Sequence, residues 1–185
     1  MKQKRKTGLK FLMNFMDTGA FKETSRNAEL EICQRIPQDR DVVVVEFGVG
    51  HGNITREILA TITPGSKLYA FEVVQEFCEH VRESIKDERL VLINDGAENL
   101  KTYVKEPIDA VVSSIPFSFF SEEKGNVIIQ SSYDLLNDQS SYSQVLLTKF
   151  NFKKFEAIFD ECDIVSLGGF PPEYVYHCKK GNTQK

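Results

Sequence analysis

Three features of the sequence predict an α/β fold whose sheet is mostly parallel and ends in an antiparallel hairpin. Short β-branched runs alternate with segments of helical period, and a glycine turn joins the first run to the first helix. The last two runs are separated only by Gly168-Gly169-Phe170-Pro171-Pro172. Parallel neighbours need a crossover, normally helical, whereas antiparallel neighbours need only a turn.

The first strand, 42–47, is the apolar run Val42-Val43-Val44-Val45 followed by Glu46-Phe47. Such a run suits a strand covered on both faces. Strands follow at 67–72, 90–94, 109–113, 143–149, 155–165 and 174–178, which makes a seven-stranded sheet, with helices over 53–61, 75–86 and 126–136. Ahead of the first strand, winding residues 9–17 at about 100° each gathers Leu9, Phe11, Leu12, Met13, Phe15 and Met16 on one arc, opposite Lys10, Asn14 and Asp17. This is an amphipathic helix. Two readings of it stand: it packs on the domain and covers a ligand pocket, or it lies on a membrane surface.

At 185 residues the chain has room for one domain. The expected division is a basic tail with N-terminal helices over 1–37, covering the pocket or touching membrane, and a ligand-binding domain over 38–180. Hydrophobic residues at 41% and charged residues at 27% exclude a disordered or collagen-like chain. Apolar stretches such as 42–45 fall far short of the ~18 residues that span a bilayer. Residues 1–10 contain Lys2, Lys4, Arg5, Lys6 and Lys10 and no acid, which leaves 18 basic against 27 acidic residues elsewhere. A basic end on an acidic body points to an anionic partner met at that end, or to a solvated tail. Lys10 and Asn14 interrupt the following apolar stretch and no small-residue cleavage site succeeds it, unlike a signal peptide. Cys33, Cys78, Cys162 and Cys178 show no C-x-x-C spacing, and His51, His80 and His177 are the three histidines. The expectation is no metal centre, no disulfide framework and a reducing, cytoplasmic setting.

The loop Glu46-Phe47-Gly48-Val49-Gly50-His51-Gly52-Asn53 joins a buried strand to a helix start. Glycines at 48, 50 and 52 tolerate positive φ and let the backbone approach a ligand, and the helix N-terminus offers free N–H groups. A dinucleotide fingerprint needs a small residue where Asn53 stands, and no phosphate-binding G-x-x-x-x-G-K-[ST] is present. The second strand ends in Glu72-Val73 and the third runs into Asp95-Gly96-Ala97, so three strand ends converge on one ligand. Glu46 with G-x-G-x-G, Glu72 and Asp95 in this order resemble the motifs of class I S-adenosylmethionine (SAM) methyltransferases. That resemblance implies a Rossmann-like domain that binds SAM and releases S-adenosylhomocysteine (SAH). It implies cofactor contacts from Glu46, Gly48, Gly50, Gly52, Glu72, Val73, Asp95, Gly96, Ala97 and Ser113, with Glu72 on the ribose and Asp95 at the adenine. His51 would contribute its backbone to that loop.

After the fourth strand comes Ser113-Ser114-Ile115-Pro116-Phe117-Ser118-Phe119-Phe120. In the resembled family this loop faces the transferable methyl group, so Ser113, Ser114, Pro116 and Phe117 are the candidate catalytic residues. It is similar to the S-G-L-P loop of bacterial phospholipid N-methyltransferases, with Ser114 in place of glycine. Phe15 to Arg26 resembles that family's N-terminal G-A-[IV]-x-P-S-S stretch, implying pocket contacts from Thr24 and Ser25, and Pro171-Pro172-Glu173-Tyr174-Val175-Tyr176 resembles its terminal strand. Glu23, Ser114 and Glu173 depart from the pattern. The resemblance implies methylation of phosphatidylethanolamine-type headgroups by a cytoplasmic, peripheral enzyme on anionic membrane. More distantly the loop resembles the N-I-P-Y loop of rRNA adenine dimethyltransferases, but Ser114 stands where their Asn should be. Nucleic acid is the weaker partner, and the remaining readings are another amine as acceptor and a SAM-binding protein without catalysis. Phe117, Phe119 and Phe120 line the acceptor mouth, contact lipid or pack in the core.

Overall fold

The computed structural model describes residues 24–182. The predicted 9–17 helix and most of the 1–37 segment lie outside that range. The chain runs α1 (Arg26–Ile32), β1 (Val43–Phe47), α2 (Asn53–Thr61), β2 (Lys67–Phe71), α3 (Gln75–Ser84), β3 (Leu90–Ile93), α4 (Leu100–Tyr103), β4 (Ile108–Ser113), α5 (Glu122–Leu135), β5 (Leu136–Leu146), α6 (Phe152–Glu156), β6 (Glu161–Gly168) and β7 (Glu173–Lys179). One seven-stranded sheet has the order β3-β2-β1-β4-β5-β7-β6. Strands β1 to β5 are parallel, while β7 pairs antiparallel with both β5 and β6. The predicted α/β class and terminal hairpin are therefore the observed ones.

Alternation along each strand divides the core between two layers. Val45, Phe47, Phe71, Val111, Tyr142 and Tyr176 face α5 and α6, whereas Val44, Leu68, Ala70, Val112 and Val175 face α1, α2 and α3. Helix α1 is held to the sheet by more than apolar contact. The Nδ1 of buried His177 shares a 2.8 Å hydrogen bond with Ser143 Oγ, and its Nε2 lies 3.1 Å from Glu31 Oε1. At the lower edge, buried Asp109 accepts from the Val43 N–H, Arg40 and Asn137, which ties the starts of β1, β4 and β5 together.

The structure corrects three expectations. Residues 155–165 are not one strand: 152–156 form α6, and β6 begins at Glu161. Phe152, Phe155 and Phe159 recur at helical spacing, and Phe155 is fully buried against Phe117, Tyr142 and Tyr176. The fifth strand covers Leu136–Leu146 rather than 143–149, and its polar first half departs from the β4 register between Ile108 and Ala110. Cys162 and Cys178 form a disulfide across the β6–β7 pair, with Cα atoms 4.1 Å apart. Antiparallel pairing sets these residues opposite one another, whereas the absence of a C-x-x-C motif had suggested no such bond.

Phe155 joins the β5–β7 half of the sheet to the acceptor-loop residue Phe117, their ring centroids 5.3 Å apart. Phe155→Ala should cost roughly 3–5 kcal/mol of stability, read as a lower denaturant midpoint with an unchanged slope. A loss below about 1 kcal/mol would show that this aromatic cluster is not the support described.

Candidate active site

The glycine loop is bent as the sequence requires. Gly48, Gly50 and Gly52 have φ of 85°, 53° and 83°, a region that favours glycine. Gly48 is also closely covered: a Cβ there would lie 3.0 Å from Ile115 Cγ2 and 3.1 Å from Ser114 Oγ, tighter than most side chains sit. The loop after β4 thus rests directly on the loop after β1. Two bonds fasten them: the Ser114 N–H donates to the Phe47 carbonyl at 2.9 Å, and Ser114 Oγ donates to the Gly48 carbonyl at 2.8 Å.

Glu72 fastens the same loop from the other side. Its Oε2 accepts the Gly50 N–H at 2.9 Å and its Oε1 accepts the Val74 N–H at 2.8 Å. Burial raises the pKa of this carboxyl, and the backbone donors oppose the rise. The Val73 and Val49 backbone groups also favour its charged form. Val73 beside it is exposed.

Glu46 is 1% exposed on β1. Thr55 Oγ1 of α2 donates to its Oε2 at 2.8 Å, while Oε1 has no hydrogen-bond partner among the described residues. Desolvation, assisted by the charge of Glu72 and opposed by the Thr55 bond, pushes the Glu46 pKa up to about 8. An orphaned buried acceptor is costly unless protonated or met by a donor. A cationic or N–H donor would satisfy it.

At the end of β3, Asp95 accepts from the Gly96 N–H (2.7 Å), Asn99 Nδ2 (2.8 Å) and the exposed Tyr103 hydroxyl (2.9 Å). Gly96 and Ala97 are buried beside it. Thr24 is half-buried, and Ser25 is the N-cap of α1, its Oγ accepting the Ala28 N–H at 3.3 Å. The Ser25 N–H in turn donates to Glu173 Oε1 at 3.0 Å, which joins the N-terminal approach to the start of β7.

The acceptor-loop candidates are sorted by their packing. Ser113 Oγ is fully buried without a hydrogen-bond partner among the described residues. The Ser114 hydroxyl is committed to Gly48, and Pro116 is half-buried. Phe117 belongs to the core at 2% exposure, its ring edge-on to Phe120 and Phe155, so of its three readings the structure takes packing. One contributor escaped sequence reading: buried Gln144 of β5 donates from Nε2 to the Ile115 carbonyl at 3.1 Å and receives the Tyr142 hydroxyl on Oε1 at 3.4 Å. A glutamine opposite Ser113, next to the apolar Val145-Leu146 end of the strand, was the available signal. His51 is exposed, and its carbonyl accepts from Arg56.

Glycine loop, Glu46, Glu72, Asp95 and the Ser113–Pro116 segment all sit at the carboxyl edge of β1 to β4, where open α/β sheets bind ligands. The model of the family described as "Methyltransferase domain" matches residues 44–139, just over half of the chain. The chain belongs to that family, with the class I fold, and its cofactor is SAM. Over 113 residues it is 34% identical to an uncharacterized methyltransferase of Geobacillus sp. (strain WCH70), covering 60% of this chain and 50% of that protein. It is 25% identical over 153 residues to the ornithine lipid N-methyltransferase of Singulisphaera acidiphila, covering 79% and 80%. The chain spans about half the length of the first of these relatives. A proposed methyltransferase of Streptococcus mutans, solved in complex with SAH, superposes with a TM-score of 0.66 at 17% identity, covering 86% of this chain and 99% of that one. That likeness shows the fold.

Because the folded protein holds the Glu46 proton more tightly than the unfolded chain does, Glu46 contributes stability at low pH that is lost as pH rises from about 4.5 through about 8. The stability difference between wild type and Glu46→Gln should therefore shift against wild type over that window, by up to about 1.4 kcal/mol per pH unit. Parallel stability curves for the two proteins would show that Glu46 does not hold a proton there.

Proposed function

We propose that the protein is a SAM-dependent N-methyltransferase acting on the primary amine of a membrane aminolipid, of the phosphatidylethanolamine or ornithine-lipid kind. The observation that carries the cofactor half is the buried, unpartnered Oε1 of Glu46 beside three left-handed glycines. An acceptor of that kind suits the α-ammonium of the donor's methionine part. The Glu72 carboxylate, at the end of β2 beside the glycine loop, would accept the ribose hydroxyls, and Asp95 would take the adenine amine by displacing the exposed Tyr103 hydroxyl. The lipid half is supported by the similarity to an ornithine lipid N-methyltransferase over four-fifths of each chain.

When bound, SAM supplies a methyl group already activated on sulfonium. The protein's tasks are then to orient an amine and to exclude water. The amine must arrive without its extra proton, because only the free lone pair attacks. The carbonyls of the 113–116 segment, with Ile115 held by Gln144, are the groups that would orient it. Methyl transfer to the free amine would leave an ammonium with one proton to lose, which would pass to solvent, with SAH as the other product. No side chain is assigned as a base. The basic, amphipathic segment before residue 24 is the proposed membrane contact of this reading.

Glu72→Ala should weaken SAH binding at least about tenfold, by loss of a charge-assisted double acceptor; calorimetry giving the wild-type affinity would remove Glu72 from the cofactor site. The acceptor is tested with methyl-labelled SAM offered to phosphatidylethanolamine vesicles, ornithine-lipid vesicles and unmodified ribosomal RNA in parallel. Label in a lipid phase is the expected result. Label in RNA alone would overturn the lipid reading, and Ser114 would then have to serve where an asparagine is usual.

A further inference from the structure

Two aromatic side chains stand almost wholly in solvent. Phe150 is 92% exposed and Phe170 95%, whereas no other large hydrophobic side chain among the described residues that stand out as exposed reaches 50%. Single exposed apolar residues are commonplace. These two share an edge. Phe150 lies in the loop after β5, and Phe170 sits in the turn between β6 and β7. Leu146, the last residue of β5, pairs with Tyr174, while Gly168 pairs with Glu173 across the hairpin. The loop is fastened to the hairpin: the Tyr176 hydroxyl donates to the Thr148 carbonyl, and Lys149 Nζ lies 4.9 Å from the centre of the Tyr174 ring. Both aromatics therefore crown the carboxyl edge of the sheet, where the acceptor loop also ends.

The charge of this edge departs from that of the molecule. Beyond residue 10 the chain carries an excess of nine acidic residues, yet residues 147–155, Leu-Thr-Lys-Phe-Asn-Phe-Lys-Lys-Phe, contain three lysines and no acid. Lys149 and Lys153 are exposed and Lys154 partly so. An anionic bilayer would repel most of the acidic body and attract this segment, which fixes an orientation. Exposed phenylalanines beside lysines are the chemistry that enters the headgroup boundary.

We propose that Phe150 and Phe170, with Lys149 and its neighbouring lysines, form a docking rim that seats the acceptor edge on anionic phospholipid bilayers. The rim is separate from the segment before residue 24, and its role in catalysis rests on the aminolipid reading above. Seated this way, the cleft meets the headgroup layer, and an amine reaches the 113–116 loop without its lipid leaving the bilayer.

The test uses the full chain loaded with SAH and vesicles of phosphatidylglycerol and phosphatidylcholine. Phe150→Ser with Phe170→Ser should lower cosedimentation at least about tenfold, since two phenyl rings no longer enter the interface. Lys149→Glu should lower it about fivefold or more at low salt, a difference that disappears near 1 M salt. SAH affinity should be unchanged in every variant, which separates loss of docking from loss of fold. Methyl transfer to a short-chain, monomeric phosphatidylethanolamine should also be unchanged, while transfer to vesicles falls with binding. Wild-type pelleting by the double variant overturns the rim and leaves the aminolipid reading intact. Rim-dependent pelleting with no label in any lipid supports the rim and overturns that reading. Loss of ribosomal RNA retention with undiminished vesicle pelleting overturns the rim in favour of a nucleic-acid surface.

Discussion

The cleft depends on one close contact: the loop after β4 rests on Gly48, where a β-carbon would be tight and the backbone conformation favours glycine. Ile115 and Ser114 press to within 3.0–3.1 Å of where that atom would stand, and the backbone there is left-handed. A side chain there would strain the left-handed backbone and make Ile115 and Ser114 give by a few tenths of an ångström, at the point where the Ser114 hydroxyl meets the Gly48 carbonyl. The proposed cofactor and acceptor sites are thus neighbours by contact of backbone, and the distance between donor and acceptor groups is set before either ligand arrives.

Around that contact the polar groups fall into two kinds. Glu72, Asp95 and Gln144 are already bonded within the protein, so a ligand would add to those bonds or exchange with them. Glu46 keeps one buried oxygen without a partner, and burial raises its pKa. The first kind rigidifies the loops; the second stores unsatisfied bonding capacity that a ligand can relieve. Perturbed acids gather at functional clefts for this reason.

Much of the fold was legible in the sequence, and for identifiable reasons. Helix α2 occupies the expected 53–61, and β1, β2, β3, β4 and β7 lie within a residue of the predicted spans, because buried strands announce themselves as apolar or β-branched and aromatic runs between caps and turns. The convergence of Glu46, the glycines, Glu72 and Asp95 was also legible, since strand order carries them to one edge. What remained hidden depends on pairing. Helix α6 is only five residues long, too short for a periodic pattern to outweigh its aromatic content, and the first half of β5 is polar where it bulges from β4. The Cys162–Cys178 bond and the tie between Ser25 and Glu173 join residues 16 and 148 positions apart. The buried roles of Gln144 and Phe117 follow from the layer each faces, which spacing does not report.

Strand β7 lies between β5 and β6, although it follows both in the chain. Strand β6 consequently has no site on the sheet until β7 is made, and β5 presents an open edge until then. During synthesis the first five strands can assemble in sequence, after which the β6–β7 ribbon closes the sheet by adding β7 to the waiting edge of β5. The interval before that closure is when a nascent chain is most open to pairing with another copy of itself. Translation speed through the stretch after Leu146 thereby becomes a determinant of yield, separate from the stability of the finished molecule.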